Sequence, residues 1–159
     1  MGRRDKNNYY LDLADVVSER STCLRRRFGA VIVKDDEVIA TGYVGAPRGR
    51  KNCCDLGECT RQKLKIPRGE RYELCRSVHA EANAIISAER SQMLGSTMYL
   101  SGREIDTGEY IQNSNSCKRM IINAGIAKVI VRDTDTKYRV IDVNDWIIND
   151  ESIQGEFGY

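Results

Sequence analysis

Residues 78–90 read VHAEANAIISAER, and this stretch carries the chain's one histidine, His79, two positions before Glu81. Alanine is the strongest helix former, and the stretch is rich in alanine and isoleucine, so it predicts an α-helix. At the start of a helix, an imidazole can ligate a metal while a nearby carboxylate moves protons. The tripeptide alone is a weak motif, because it arises by chance in many chains and a lone histidine is more often a surface or satisfied core residue.

The order of elements around this stretch predicts the fold class. Expected helices cover residues 9–21, 78–90, 117–123 and 142–150, and expected strands cover 28–33, 38–43, 97–100 and 128–132. A hairpin followed by strands that alternate with helices indicates an α/β fold, a three-layer α/β/α sandwich around a mixed central sheet. We expect one domain over 1–159, with a cysteine-containing insert at 44–75 and a C-terminal extension at 133–159.

Composition excludes several function classes. The net charge of +2 is too small to indicate a nucleic-acid partner. No apolar run is long enough to span a membrane, and the basic N-terminus leads into no apolar stretch of a secretory signal. We therefore expect a cytoplasmic protein. In that compartment the six cysteines favour metal ligands or reduced thiols over disulfides.

Four motifs together resemble the deoxycytidylate (dCMP) deaminase family, most closely its bacterial late-competence branch. They lie in order along residues 8–132 and read GAVIVKD at 29–35, IATGYVGAP at 39–47, CRSVHAEANAI at 75–85 and CKRMIINAGI at 117–126. The resemblance implies the cytidine deaminase fold and zinc-dependent hydrolysis of dCMP to dUMP and ammonia.

The resemblance also assigns roles to residues. It makes His79 and Cys117 ligands of a catalytic zinc and Glu81 the proton shuttle, as in the known H-x-E plus P-C-x-x-C signature of these deaminases. Bulk water is a poor nucleophile at neutral pH, and zinc lowers the pKa of a bound water to about 7. Residues near the phosphate and sugar would be Arg26, Arg27, Val44, Gly45, Ala46 and Pro47.

The chain departs from the family at three places. One of two expected cysteines is absent near Cys117: either Ser114 replaces it, or a three-residue stretch that contained it is missing. Two protein ligands hold zinc more weakly than three, and rescue by Cys75 requires a helix that begins before His79. Val44 stands where many relatives have a polar residue, which weakens the expectation of sugar recognition. The stretch 102–116 is longer than in many relatives.

The insert carries the remaining candidate metal ligands. Cys53, Cys54, Cys59 and Cys75 offer four thiolates, and some dCMP deaminases bind a second, structural zinc in this region. The adjacent pair Cys53 and Cys54 can hardly both ligate one ion without strain. Four reduced thiols without a metal are the alternative, and Cys23 is expected only to pack against the first strand.

Partners follow from the resemblance alone. It implies a small nucleotide substrate, a homo-oligomer that is a hexamer or a dimer, and regulation by dCTP and dTTP. The rival interpretation is a catalytically impaired deaminase fold that binds a nucleotide or a partner, because one active-site cysteine is absent. Deamination of a base in tRNA is disfavoured by the small net charge.

Overall fold

The central element of the protein is a mixed five-stranded sheet. The computed structural model describes residues 2–112 and 117–149. The strands are β1 (Arg26–Lys34), β2 (Glu37–Tyr43), β3 (Thr97–Glu104), β4 (Lys128–Arg132) and β5 (Tyr138–Asp142). Their order in the sheet is β2-β1-β3-β4-β5. β1 runs antiparallel to β2 and β3, β3 and β4 are parallel, and β5 is antiparallel to β4.

Helices flank the sheet. They are α1 (Lys6–Ser18), α2 (Cys53–Leu56), α3 (Thr60–Lys63), α4 (Ala80–Ser87), α5 (Arg90–Met93), α6 (Lys118–Ala124) and α7 (Val143–Ile148), with a 3-10 turn at Tyr72–Leu74. No helix in the described ranges is long and apolar enough to cross a bilayer.

The alternation of β1 residues divides the core into two layers. Val31 and Val33 point to one face and pack with Leu11 and Ala14 of α1. Ala30 and Ile32 point to the other face, where the core residues are Ala80, Ala84, Met93, Met98, Ile121, Ala124, Val129 and Val143. Helices therefore cover both faces of a mixed sheet, and the predicted α/β/α sandwich is confirmed.

Local sequence signals match the turns and caps. The hairpin between β1 and β2 turns at Asp35 and Asp36, both with positive φ (50° and 63°), which a two-residue hairpin turn requires and Asp tolerates. Gly125 ends α6 in the left-handed conformation, and the Asp142 side chain caps α7 by accepting from the Asn144 N–H.

Several element predictions differ from the structure, and the helix expected at 9–21 spans Lys6–Ser18. The expected helix at 78–90 is interrupted, because Ala88 is extended and α5 begins again at Arg90. The strand expected at 97–100 continues to Glu104, where it pairs with Arg26. β5 was not predicted, since this edge strand is largely exposed and lacks an apolar run.

Candidate active site

His79 and Cys117 each stand immediately before a helix. His79 is the N-cap residue of α4 and Cys117 the N-cap residue of α6. The two helices pack against each other on one face of the sheet, so their N-terminal ends meet. Cys117 Sγ consequently lies 3.4 Å from His79 Nδ1.

Glu81 completes a compact group of ligand-type side chains. It lies in the first turn of α4 and is 3% exposed, and Cys117 is 6% exposed. One donor atom from each of His79, Glu81 and Cys117 lies within 4.8 Å of the other two. Tertiary structure thus brings Cys117 to His79, which lies 38 positions earlier in the sequence, and to the neighbouring Glu81.

The donor atoms fit zinc. Zinc–nitrogen and zinc–sulfur bonds at tetrahedral angles place the two donors about 3.5 Å apart. The separation of His79 Nδ1 and Cys117 Sγ is 3.4 Å, so both can bind one ion without a large rearrangement. Imidazole and thiolate are also the ligand types that zinc prefers.

The sequence offered two candidates for the third zinc ligand, Ser114 and Cys75. Ser114 lies outside the described residues. Cys75 follows the 3-10 turn in an extended conformation, and α4 begins only at Ala80. Cys75 is therefore not stacked one helical turn before His79, which removes the geometric reason for a rescue.

A cavity of about 290 Å³ opens beside this group, and His79, Ala80 and Glu81 form part of its wall. Val44 also lines it and is buried. Gly45 and Val78 exchange backbone hydrogen bonds of 3.2 and 2.6 Å, which fixes residues 44–47 next to His79. Ala46 N–H donates to Asn52 Oδ1, and Pro47 is exposed.

The two predicted phosphate-side arginines lie on opposite faces of β1. Arg26 shares a face with Phe28 and Ala30 and lines the cavity. Arg27 points to the α1 side, where its guanidinium pairs with Glu19 at 2.9 Å. The two-residue period of a strand separates them, so the structure places Arg26 but not Arg27 at the cavity.

The insert cysteines lie in different surroundings, and none of them belongs to the compact group of His79, Glu81 and Cys117. Cys23, Cys59 and Cys75 line the cavity wall. Burial and the neighbouring thiols of Cys23, Cys59 and Cys75 raise the pKa of the Cys53 thiol, and the nearby Ser77 hydroxyl lowers it. Cys54 is instead exposed, with Sγ 4.0 Å from Asp55 Oδ1. No disulfide joins any of the six cysteines.

Several residues that line the cavity were not predicted from the sequence to do so. They are Cys23, Arg25, Arg61, Arg68 and Tyr72. No local signal marks Arg61 or Arg68, because an irregular insert gives no periodicity from which to infer its inner face.

Comparison with known proteins agrees with this site. Residues 4–133 match the family described as the cytidine and deoxycytidylate deaminase zinc-binding region. The chain belongs to this family. Within it, the deoxycytidylate deaminase of Mycobacterium phage D29 is 34% identical over 135 residues, which cover 82% of this chain and 96% of that protein.

Two further family relatives bear on the branch and the fold. ComE operon protein 2 of Bacillus subtilis (strain 168) is 35% identical over 131 residues, covering 81% of this chain and 60% of that protein. The dCMP deaminase of cyanophage S-TIM5, crystallised with dCMP and dUMP, superposes with a TM-score of 0.57 at 25% identity. That match covers 83% of this chain and 84% of the other. The predicted family and fold are confirmed.

Proposed function

We propose that the protein is a zinc-dependent hydrolase that converts dCMP and water to dUMP and ammonia. The observation that carries the proposal is the buried Glu81 carboxylate within 4.8 Å of the His79 and Cys117 donors, at the wall of a cavity. Similarity to deoxycytidylate deaminases along most of the chain supports the choice of substrate.

Each residue of the site has a distinct role in the proposed reaction. His79 Nδ1 and Cys117 Sγ would hold the zinc, which when bound would make water a competent nucleophile near neutral pH. Glu81 would take one proton from the attacking water and deliver it to the ring nitrogen. It would then take the second proton from the hydroxyl group now on the ring carbon and deliver it to the departing amine. Its position in the first turn of α4 fixes the carboxylate beside both ligands.

The test is deamination of dCMP by the wild type and by Glu81→Gln, measured as ammonia release. Loss of the general acid and base lowers turnover roughly 10²–10⁴-fold while bound zinc stays constant. Glu89→Gln, on the exposed N-cap residue of α5, is the matched control and keeps wild-type turnover. Wild-type turnover in Glu81→Gln would remove Glu81 from the mechanism.

A second candidate function is nucleotide binding by a catalytically impaired deaminase fold. Its support is that, in the part of the chain that the structure describes, the zinc-compatible group contains a single cysteine, Cys117. We expect slow dCMP turnover by the chain as it stands. Either Ser114→Cys or a Cys-x-x insertion before Cys117 would then raise both zinc retention and turnover. Equal activity before and after repair would show that another group already supplies the third ligand.

We also propose a second, structural zinc in the insert. The proposed ligands are Cys53, Cys59 and Cys75, as the sequence suggested, with Cys23 in place of the exposed Cys54. Among the described residues the compact group of ligand-type side chains is His79, Glu81 and Cys117 and includes none of these thiols, so a zinc ion would have to draw the four thiols together. Four segments of the chain supply these thiols, so one tetrahedral ion would tie the insert to the residues that precede β1. Four reduced thiols without a metal are the competing interpretation.

Zinc content per chain separates these two interpretations. We expect Cys23→Ser and Cys59→Ser each to lose one zinc and to lower the melting temperature, because metal binding is coupled to folding. Cys54→Ser is the matched control and should keep the wild-type zinc content and melting temperature. If Cys23→Ser keeps its zinc and Cys54→Ser loses it, the zinc ligands are the set predicted from the sequence, Cys53, Cys54, Cys59 and Cys75.

The remaining parts of the proposal concern assembly and location. Following the family resemblance, we propose a homo-oligomer, hexamer or dimer, regulated by dCTP and dTTP. A cytoplasmic location belongs to the same proposal, because free deoxynucleotides are intracellular metabolites. Light scattering of the purified protein, and dCMP kinetics with each triphosphate added, test assembly and regulation separately.

A further inference from the structure

The last two elements of the structure, β5 and α7, lie beyond the residues that match the family. The match ends at residue 133, whereas β5 spans Tyr138–Asp142 and α7 spans Val143–Ile148. β5 is antiparallel to β4, and the Val143 N–H donates to the Ala127 carbonyl oxygen at 3.0 Å. Because Val143 is 3% exposed, its packing fixes the start of α7 against the core.

α7 reaches the residue beside the proposed zinc ligand Cys117. It packs against α6, the helix that Cys117 precedes. Trp146 of α7 is half-buried and packs against the core cluster that contains Cys117 and Ile121. Lys118 Nζ lies 5.4 Å from the centre of the Trp146 ring, within the range of about 6 Å for a cation–π interaction. The contact therefore acts on the first residue of α6.

The first turn of α6 depends on such a contact. It begins with Lys118 and Arg119, two cations at the end of a helix where the macrodipole favours negative charge. The helix has seven residues, and isolated helices of this length are unstable in water. Tertiary contacts must therefore hold this end of α6. The face of the Trp146 ring carries partial negative charge, which suits the Lys118 ammonium group.

β5 contacts the chain on the other side of Cys117. Arg139 donates to the Gln112 carbonyl oxygen, and an ion pair with Asp133 at 3.0 Å orients its guanidinium. Gln112 precedes Cys117 in the sequence and Lys118 follows it. A single structural unit, β5 with α7, therefore contacts the described chain both before and after the proposed ligand.

We propose that Trp146 is a positioning residue for the catalytic zinc. Its ring holds Lys118 and with it the first turn of α6, which keeps the Cys117 sulfur within zinc-binding reach of His79. Cys117 Sγ and His79 Nδ1 lie 3.4 Å apart, and a displaced helix end would lengthen this separation. This inference rests on the proposed function, because it requires zinc to bind beside Glu81.

Trp146 is also the reporter that tests the proposal, because the chain has no other tryptophan. Zinc added to the metal-free protein should change the indole emission, and the midpoint of that change should equal the midpoint of zinc binding. The change should be absent in His79→Ala, even where zinc still binds to the insert cysteines. This measurement requires neither substrate nor turnover.

Variants of Lys118 test the contact itself. Lys118→Met keeps the length of the side chain and removes its charge, and should weaken His79-dependent zinc binding about threefold to thirtyfold. Lys118→Arg should bind zinc like the wild type, because a guanidinium also stacks on an aromatic face. Arg119→Met is the matched control. It removes an exposed cation from the same helix end and should not weaken zinc binding.

Variants of Trp146 test the ring. Zinc affinity is measured by competition with a chelator, and His79→Ala defines the zinc that belongs to the insert. Trp146→Ala should lose about tenfold to a hundredfold in affinity, as when other partners that orient a metal ligand are removed. Trp146→Phe keeps an aromatic face and should retain most of the affinity. Melting temperatures show whether Trp146→Ala is folded, and Lys118→Met decides the question if it is not.

The outcomes separate this inference from the proposed function. If zinc binding depends on Lys118 and Trp146 but dCMP is not deaminated, the positioning role stands and the proposed reaction fails. If dCMP is deaminated while Lys118→Met and Trp146→Ala bind zinc like the wild type, the reaction stands and the positioning role is overturned. A wild type whose Trp146 emission does not respond to His79-dependent zinc would also overturn the positioning role.

Discussion

At the scale of single residues, the metal chemistry depends on His79, because the chain has no other histidine. We predict that His79→Ala loses one zinc per chain, since one thiolate does not hold the ion with comparable affinity. The cysteine-held zinc proposed for the insert would stay bound, so the metal content would fall by one ion and not to zero.

Zinc stoichiometry of the purified variants checks this prediction. Ile86→Ala is the control, since Ile86 lies on the same helix and is 73% exposed. An unchanged zinc content in His79→Ala would mean that no zinc binds beside Glu81, and it would favour the catalytically impaired interpretation.

At the scale of elements, the position of α4 depends on one glycine of β2. A Cβ atom at Gly42 would lie 2.3 Å from the Ala80 carbonyl oxygen and 2.4 Å from the Ala84 nitrogen. These are backbone atoms of α4, so the helix itself must move to admit a methyl group. The N-terminal end of that helix carries His79 and Glu81, and a displacement would separate them from Cys117.

We therefore predict that Gly42→Ala lowers both the melting temperature and dCMP turnover. Overpacking of this kind costs about 1–3 kcal/mol of stability, and small displacements at a catalytic group cost about 10²-fold in rate. Thr41→Ala, on the exposed face of the same strand, is the matched control. Full activity in Gly42→Ala would show that α4 can shift without disturbing the site.

At the scale of the whole molecule, a buried cation joins α1 to the sheet. Arg132 at the end of β4 is 1% exposed and contacts Asp12 at 2.8 Å and Asp15 at 2.6 Å. It also donates to the backbone and side-chain oxygens of Asn8, both at 3.1 Å. Residues from three turns of α1 therefore converge on one guanidinium.

Replacing this cation should destabilise the fold. Breaking a fully buried pair costs roughly 3–5 kcal/mol, but Asp12 is 47% exposed and solvent screens its charge. We predict a loss of about 2–3 kcal/mol for Arg132→Met in urea unfolding. Arg139→Met, which removes an exposed pair with Asp133, should cost under about 1 kcal/mol. Equal losses in both variants would contradict a special role for Arg132.

The same network gives the stability a pH dependence. Burial alone would raise the pKa of Asp12, but hydrogen bonds from Arg4 and Arg132 hold it below the ordinary value of 3.8. A carboxyl group with a lowered folded-state pKa contributes stability above its unfolded pKa and loses it as the pH falls through the folded value. Arg132→Met should therefore lose less stability than the wild type on acidification below about pH 4.

The sequence by itself determined the features that depend on local chemistry. The helix periodicity, the aspartates of the β1–β2 turn, Gly125 and the Asp142 cap all act within a few residues, so their patterns could be interpreted directly. The resemblance carried by the motifs around His79 and Cys117 identified the family and the candidate zinc ligands. The resemblance also showed that one of the two cysteines expected near Cys117 is absent, which no local rule would have revealed.

Only the tertiary structure decided which distant side chains meet. Cys23, Cys59, Arg61 and Arg68 line one cavity, whereas Arg27 pairs with Glu19 outside it. The insert has no regular period, so the path of its chain through the fold, and not local propensity, decides which of its side chains line the cavity. β5 was also not predictable from the sequence. An exposed edge strand is defined by its hydrogen bonds to β4 and not by an apolar pattern of its own.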